Sequence, residues 1–110
     1  MLLIETPAAV DNIEAICRVE GIDGMVIGEF DLSTELGVPG RFDAPEMREA
    51  VAHLEGVILE AGIPLGAAAL TREQTRSSLE RGYRLPVHGF DVLMLGGSVR
   101  QTAEWRRGGA

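Results

Sequence analysis

Short apolar runs alternate four times with stretches of helical periodicity, and no other feature narrows the folds open to this chain so far. The first unit is a strand from Leu2 to Glu5 and a helix from about Pro7 to Glu20. Thr6 is its N-cap, Pro7 suits the first turn, and Gly21 stops it. Val10, Ile13 and Cys17 make its apolar stripe. The second unit is a strand from Gly24 to Gly28, a long loop from Asp31 to Phe42, and a helix from Pro45 to Ala61 capped by Asp43 or Ala44. Met47, Ala50, Leu54, Ile58 and Ala61 recur there at helical spacing, and Gly62 ends the helix. The third strand, Ile63 to Leu70, is almost continuously apolar, the pattern of a strand covered on both faces. Thr71 and Gln74 form a capping-box pattern that opens a helix to about Arg81. The fourth unit is a strand from Arg84 to Gly89 and a helix from Asp91 to about Arg106. Gly96 and Gly97 weaken that helix by roughly 1 kcal/mol each relative to Ala. The tail from Gly108 to Ala110 is expected to fray.

Strands alternating with helices imply a parallel α/β sheet, and 110 residues make one domain with a real core. Two architectures fit: a small doubly wound sheet, or part of a (β/α)₈ barrel, which is typically ~250 residues long. Periodicity alone does not choose. In either case the C-terminal ends of parallel strands share one side of the sheet. Glu5 closes the first apolar run, and Asp31 follows the second by a few residues. Two carboxylates brought together there, with no Cys beside them, suit a hard divalent cation such as Mg²⁺ or Mn²⁺. Taken alone, Glu5 reads as a solvated strand-end carboxylate and Asp31 as a loop or cap residue. Their pairing makes them candidate metal ligands.

Composition removes other functions. No apolar run approaches the ~20 residues of a membrane span, and Met1 leads straight into a strand with no basic leader. One cysteine forms no internal disulfide, which fits the cytoplasm, and Cys17 reads as a small core residue. A net charge of −7 argues against nucleic acid as a partner. The charge is uneven: residues 1–60 carry 13 acids and three arginines, and residues 61–110 carry four acids and seven arginines. Solvated helix faces account for such a split in the ordinary case. Every basic residue is Arg. Schiff-base chemistry and a Lys-bearing phosphate loop are therefore closed to the chain, and a keto acid would have to be activated by a metal.

The stretch LLIETPAAVDNIEAICRVEGIDGMVIGEFDLSTELGVPG, followed by PLGAAAL, LERGYRL and HGFDVLML, resembles the HpcH/HpaI aldolase/citrate lyase family. These are class II, metal-dependent 2-keto acid aldolases of the phosphoenolpyruvate/pyruvate superfamily. The combination of Ile-Glu-Thr, Glu-Gly-Ile-Asp-Gly and Gly-x-x-Asp-Leu-Ser at this spacing carries the resemblance over nearly the whole chain. It implies the C-terminal half of a TIM barrel, with residues 1–110 standing for strands five to eight. It also implies a divalent cofactor (Mg²⁺, Mn²⁺ or Co²⁺) on Glu5 and Asp31. The keto-acid carboxylate would be held by the backbone amides of the loop through Gly28, Glu29, Phe30 and Asp31. The activity implied is reversible aldol cleavage of 4-hydroxy-2-oxo acids to pyruvate and an aldehyde.

Three positions depart from the family pattern. Leu3 stands where a substrate-touching Gln is common, and Glu29 stands where Pro is common, adding negative charge beside an anion site. The third departure is the largest. The general-base His and the Arg that steadies the developing enolate belong to the family's first half and have no counterpart here, so no catalytic residue is assigned in this chain. His53 falls in the helix of the second unit and His88 in the last strand, neither in the family's position for the base. Trp105 is most simply helix packing. Four strands cut from a barrel expose two edges. A missing N-terminal half, pairing of two copies, or docking on a relative would each cover them. The alternative to an aldolase is a catalytically inactive half-barrel that serves as a structural or interaction module.

Overall fold

Four short parallel strands lie in the order of the sequence: β1 (Leu2–Ile4), β2 (Met25–Ile27), β3 (Leu65–Ala68) and β4 (Leu85–Val87). The structure, a computed structural model, describes residues 1–106, so the Gly108–Ala110 tail lies outside the described residues. The register aligns Leu3 with Val26, Val26 with Gly66, and Gly66 with Leu85. Side chains alternate along a strand, so this register sorts the sheet into two faces. Ile4, Met25, Ile27, Leu65 and Ala67 turn to one face and are buried there. Leu3, Val26, Gly66, Ala68, Leu85 and Val87 turn to the other, where Leu3 remains 55% exposed.

Helices pack on the first face. In chain order the helices are α1 (Pro7–Asp11), α2 (Ile13–Cys17), α3 (Glu29–Glu35), α4 (Pro45–Glu60), α5 (Arg72–Glu80) and α6 (Asp91–Trp105), of which α6 buries no residue. Ile13 of α2 and Met47, Leu54 and Ile58 of α4 fill the space against the sheet, all fully buried. Each such side chain contributes roughly 1.5–3 kcal/mol of hydrophobic stabilisation. The expected capping box at α5 is present. Thr71 Oγ1 accepts from the Gln74 amide at 3.1 Å, and Gln74 Oε1 accepts from the Thr71 amide at 3.1 Å.

Two expectations need correction. The first helix is broken. Asn12 donates its side-chain amide to the Ala8 carbonyl at 2.8 Å, and its φ and ψ of −106° and 12° are not helical. An Asn side chain that competes for the i−4 carbonyl ends one helix, and Ile13 starts another that finishes at Cys17 rather than Glu20. The loop from Asp31 to Phe42 is also not all loop, because α3 occupies its first half. Leu32 and Ser33 of α3 are fully buried. Ser33 Oγ donates to the Phe30 carbonyl at 2.7 Å and accepts from the Gly40 amide at 3.0 Å, which ties the rest of the loop down. The last strand ends at Val87, so His88 lies just beyond it.

Helix α6, like the five-residue α1, has no buried residue. The molecule is elongated, 57 Å against 28 and 21 Å. No helix among the described residues is long and apolar enough to cross a membrane.

Behind the sheet, Tyr83 is buried at 1% exposure and donates its hydroxyl to Glu55 Oε2 at 3.2 Å. Arg81 binds the same carboxylate at 2.8 Å and lies 4.9 Å over the Tyr83 ring. Burial, reinforced by the Glu55 charge, pushes the Tyr83 phenol well above its ordinary value, and Arg81 opposes this only in part. The unfolded phenol ionises near pH ~10 while the folded one stays protonated. Stability from this source is therefore intact below that pH and falls as pH rises through it. Tyr83 is the single tyrosine of the sequence, so tyrosinate absorbance reads it directly. The absorbance is expected to rise only together with unfolding, and Tyr83→Phe is expected to flatten the alkaline stability loss. A phenolate signal from the folded chain would contradict this placement.

Candidate active site

The C-terminal ends of β1 and β2 place the two carboxylates singled out in the sequence. Glu5 follows β1 directly and, by alternation, shares the open face with Leu3. Its position against β2 is fixed by Gly28. A Cβ built on Gly28 would lie 2.9 Å from Glu5 Cβ, 3.1 Å from Glu5 Oε2 and 3.4 Å from Leu3 Cδ1. The missing side chain of Gly28 is thus the space in which the Glu5 carboxylate rests. Asp31 lies in the first turn of α3, three residues past Gly28. Among the described residues, neither carboxylate is engaged in a hydrogen bond or an ion pair, so both keep free acceptor oxygens. No group of three or more His, Cys, Asp or Glu gathers among the described residues.

Gly28 also starts α3. Its amide donates to the Ile4 carbonyl at 2.9 Å, and its carbonyl accepts from Leu32 at 2.9 Å. The amides of Glu29, Phe30 and Asp31 precede the first intrahelical bond and point out of the helix start without a backbone acceptor. They border an open hollow of about 540 Å³ on the uncovered face of the sheet, with Leu3, Val26, Gly28, Ala68 and Val87 as its floor. Phe30, named from the sequence, lines it together with Phe90, which sequence reasoning missed. Phe30 meets Phe42 edge-on at 4.9 Å and Phe90 edge-on at 6.0 Å. Phe90 comes from the connection after β4 and Phe30 from the one after β2, so no local pattern signals that they meet.

Glu29 is placed differently from what its sequence position suggests. It also borders two hollows behind the sheet, both of which it shares with Arg81 of the α5 C-terminus. Burial raises its carboxyl above the ordinary carboxylate range, and the Arg81 guanidinium partly offsets this. Arg81 itself is paired with Glu55. The two histidines stay out of the hollow. His53 pairs with Glu14 across α4 and α2 at 3.7 Å, and His88 Nδ1 lies 3.3 Å from the Ala69 carbonyl and 3.5 Å from Thr75 Oγ1.

Known proteins resemble this chain in sequence and in fold. Over 99 residues the chain is 34% identical to a hydroxypyruvate/pyruvate aldolase of Cupriavidus necator, covering 90% of this chain and 37% of that protein. Over 104 residues it is 32% identical to a 5-keto-4-deoxy-D-glucarate aldolase of Klebsiella pneumoniae, covering 94% of this chain and 41% of that protein. In structure it superposes on an HpcH/HpaI aldolase/citrate lyase family protein of Burkholderia cenocepacia with a TM-score of 0.87 and 30% identity. That match covers 96% of this chain and 42% of the other. The chain thus spans about 40% of the length of the relatives it matches. The choice between architectures is settled in favour of the barrel, of which these are the C-terminal four strand–helix units. A strand-end glutamate seated on a glycine, the Gly-x-x-Asp-Leu-Ser turn that opens α3, and a family match running from residue 1 to residue 96 agree, and the chain belongs to the HpcH/HpaI aldolase/citrate lyase family.

Proposed function

We propose that this chain carries the metal- and keto-acid-binding half of a carbon–carbon lyase, acting on 4-hydroxy-2-oxo acids to give pyruvate and an aldehyde. The observation that carries the reading is the placement of Glu5 over Gly28, at the end of the sheet where α3 begins with Asp31 and three free amides. The donor set fits a hard divalent cation. Two uncommitted carboxylates suffice, since Mg²⁺ and its kin are commonly bound through one or two carboxylates, with water and substrate completing the shell. When bound, such an ion supplies Lewis-acid polarisation of the substrate carbonyl, an effect of several kcal/mol.

The chain's own residues would do the rest of the binding. Glu5 and Asp31 hold the ion. The amides of Glu29, Phe30 and Asp31 take the substrate carboxylate, as unsatisfied donors at a helix start do for anions. Glu29 borders that site, and burial raises its carboxyl above the ordinary range, with the Arg81 guanidinium only partly opposing. Phe30 and Phe90 line the hollow beside these groups. Both histidines are committed elsewhere, so proton abstraction needs a base from outside these residues. The relatives named for pyruvate, hydroxypyruvate and 5-keto-4-deoxy-D-glucarate support a small 2-keto acid as ligand.

The test is binding rather than turnover. Water-proton relaxation is expected to report Mn²⁺ uptake by the chain, and pyruvate is expected to change that signal while lactate, which lacks the 2-oxo group, does not. A chain that takes up no Mn²⁺ would remove the reading. Mn²⁺ uptake with no response to pyruvate would leave a metal site without the proposed substrate.

A further inference from the structure

The turn that carries Asp31 is braced from behind. Helix α3 follows β2 with only Gly28 between them, and it is seven residues long. A helix so short is marginal on its own. Two hydroxyls converge on one carbonyl of its first turn. Ser33 Oγ donates to the Phe30 carbonyl at 2.7 Å, and Thr34 Oγ1 donates to the same oxygen at 3.1 Å. The Phe30 carbonyl and the Asp31 amide belong to one planar peptide unit, so whatever holds that oxygen also fixes the backbone that aims the Asp31 side chain.

The loop after α3 closes on the same peptide. Gly37 and Val38 donate their amides to the Thr34 and Ser33 carbonyls at 3.0 and 2.9 Å, and Gly40 donates to Ser33 Oγ at 3.0 Å. Gly37 and Gly40 hold φ at 77° and 70°, values that glycine adopts without strain, and these bring the chain back on itself. Phe42 then meets the Phe30 ring edge-on. Main chain and ring of Phe30 are thus both held by the loop, one residue before Asp31. Ser33 is the link. It is fully buried, gives its proton to the first turn and accepts one from the loop.

Neither hydroxyl favours the helix itself. Ser and Thr are poorer helix formers than Ala, and a side-chain bond back along the helix slightly destabilises or bends it. A buried hydroxyl also costs its hydration unless it is bonded. Ala would fill the core position of Ser33 without that cost. What the two hydroxyls add is a fixed direction for the Phe30–Asp31 peptide.

We propose that Ser33 and Thr34 are positioning residues that hold Asp31 in the direction a divalent cation needs, a role that rests on the metal site proposed above. Neither touches the cation. They act through the Phe30 carbonyl, and by polarising its peptide they also strengthen the Asp31 amide as a donor.

Mn²⁺ titration and amide nuclear magnetic resonance of the chain test this together. Thr34→Val keeps shape and β-branching at an exposed position. It is expected to weaken Mn²⁺ binding about threefold, the scale of one hydrogen bond, with circular dichroism and urea midpoint close to the parent's. Thr34→Ser restores a hydroxyl and is expected to restore the affinity. Ser33→Ala removes the shorter bond together with the loop link, and is expected to cost about tenfold, the low end for groups that support a metal ligand. In the metal-free chain the Asp31 amide nitrogen resonance is expected to move upfield in both Thr34→Val and Ser33→Ala. Variants that bind Mn²⁺ as tightly as a binding parent, or that leave the Asp31 amide resonance in place, would overturn the proposal. So would a loss in Thr34→Val that Thr34→Ser does not reverse. A parent chain that takes up no Mn²⁺ removes the metal site itself and this role with it, whereas equal binding by parent and variants removes this role alone.

Discussion

Glu5→Ala is expected to weaken Mn²⁺ binding at least about 100-fold, and Asp31→Ala to do the same. Loss of a group that only supports a metal ligand commonly costs 10–100-fold in affinity, so loss of one of two protein ligands costs no less. Gly28→Ala gives an intermediate result of a distinctive kind. It removes no charge, but its methyl would lie 2.9 Å from Glu5 Cβ and 3.1 Å from Glu5 Oε2, so the carboxylate must move. A loss of about tenfold is expected there, on the same scale as supporting groups. Electron paramagnetic resonance of free Mn²⁺ measures all three, with circular dichroism as the check on folding. If Glu5→Ala and Asp31→Ala bind Mn²⁺ as tightly as the parent, the site is assigned to the wrong residues.

Gly66→Ala should cost about 3 kcal/mol of stability, the upper end for overpacking a core. Gly66 is central in β3 and fully enclosed by its neighbours. An added Cβ would meet the Leu85 carbonyl oxygen at 2.5 Å, Leu85 Cβ at 2.8 Å and Val26 Cγ2 at 3.1 Å. Backbone on one side and a strand on the other leave the methyl no way out except to part β3 from β4. Gly56 in α4 makes the contrast, because a Cβ there meets nothing within 4 Å. Gly56→Ala is expected to stabilise the chain by roughly 1 kcal/mol through helix propensity. Urea unfolding of the two variants should therefore move in opposite directions. A Gly66→Ala midpoint equal to the parent's would mean that β2, β3 and β4 are not packed this closely.

Much of this was legible in the sequence because it depends on residues close along the chain. The four strand–helix units follow from periods of two and 3.6 residues, and each strand lies inside the apolar run that announced it. Thr71 and Gln74 cap α5 as their spacing requires. The same locality produced the errors. Asn12 is polar in a helical stripe, and only its bond to the Ala8 carbonyl reveals that it breaks the helix. The seven residues of α3 carry too little apolar periodicity to stand out, and the helix is fixed by Leu32 reaching a core built from other elements.

For the site, the sequence by itself determined the chemistry. It holds two carboxylates at the ends of consecutive strands, with no lysine in the chain, and its motifs point to a family of keto-acid aldolases. The tertiary structure decided which groups face which. Gly28 is a cradle for Glu5 because β1 and β2 pair in one register and no other. Glu29 borders two hollows behind the sheet together with Arg81, 52 positions later. Phe30 and Phe90 line one hollow although they are far apart in the chain. Local periodicity encodes which face of an element is apolar, but it carries no information about which distant element that face meets. That choice is made by packing and strand register together, and it turns two acidic residues into a candidate site.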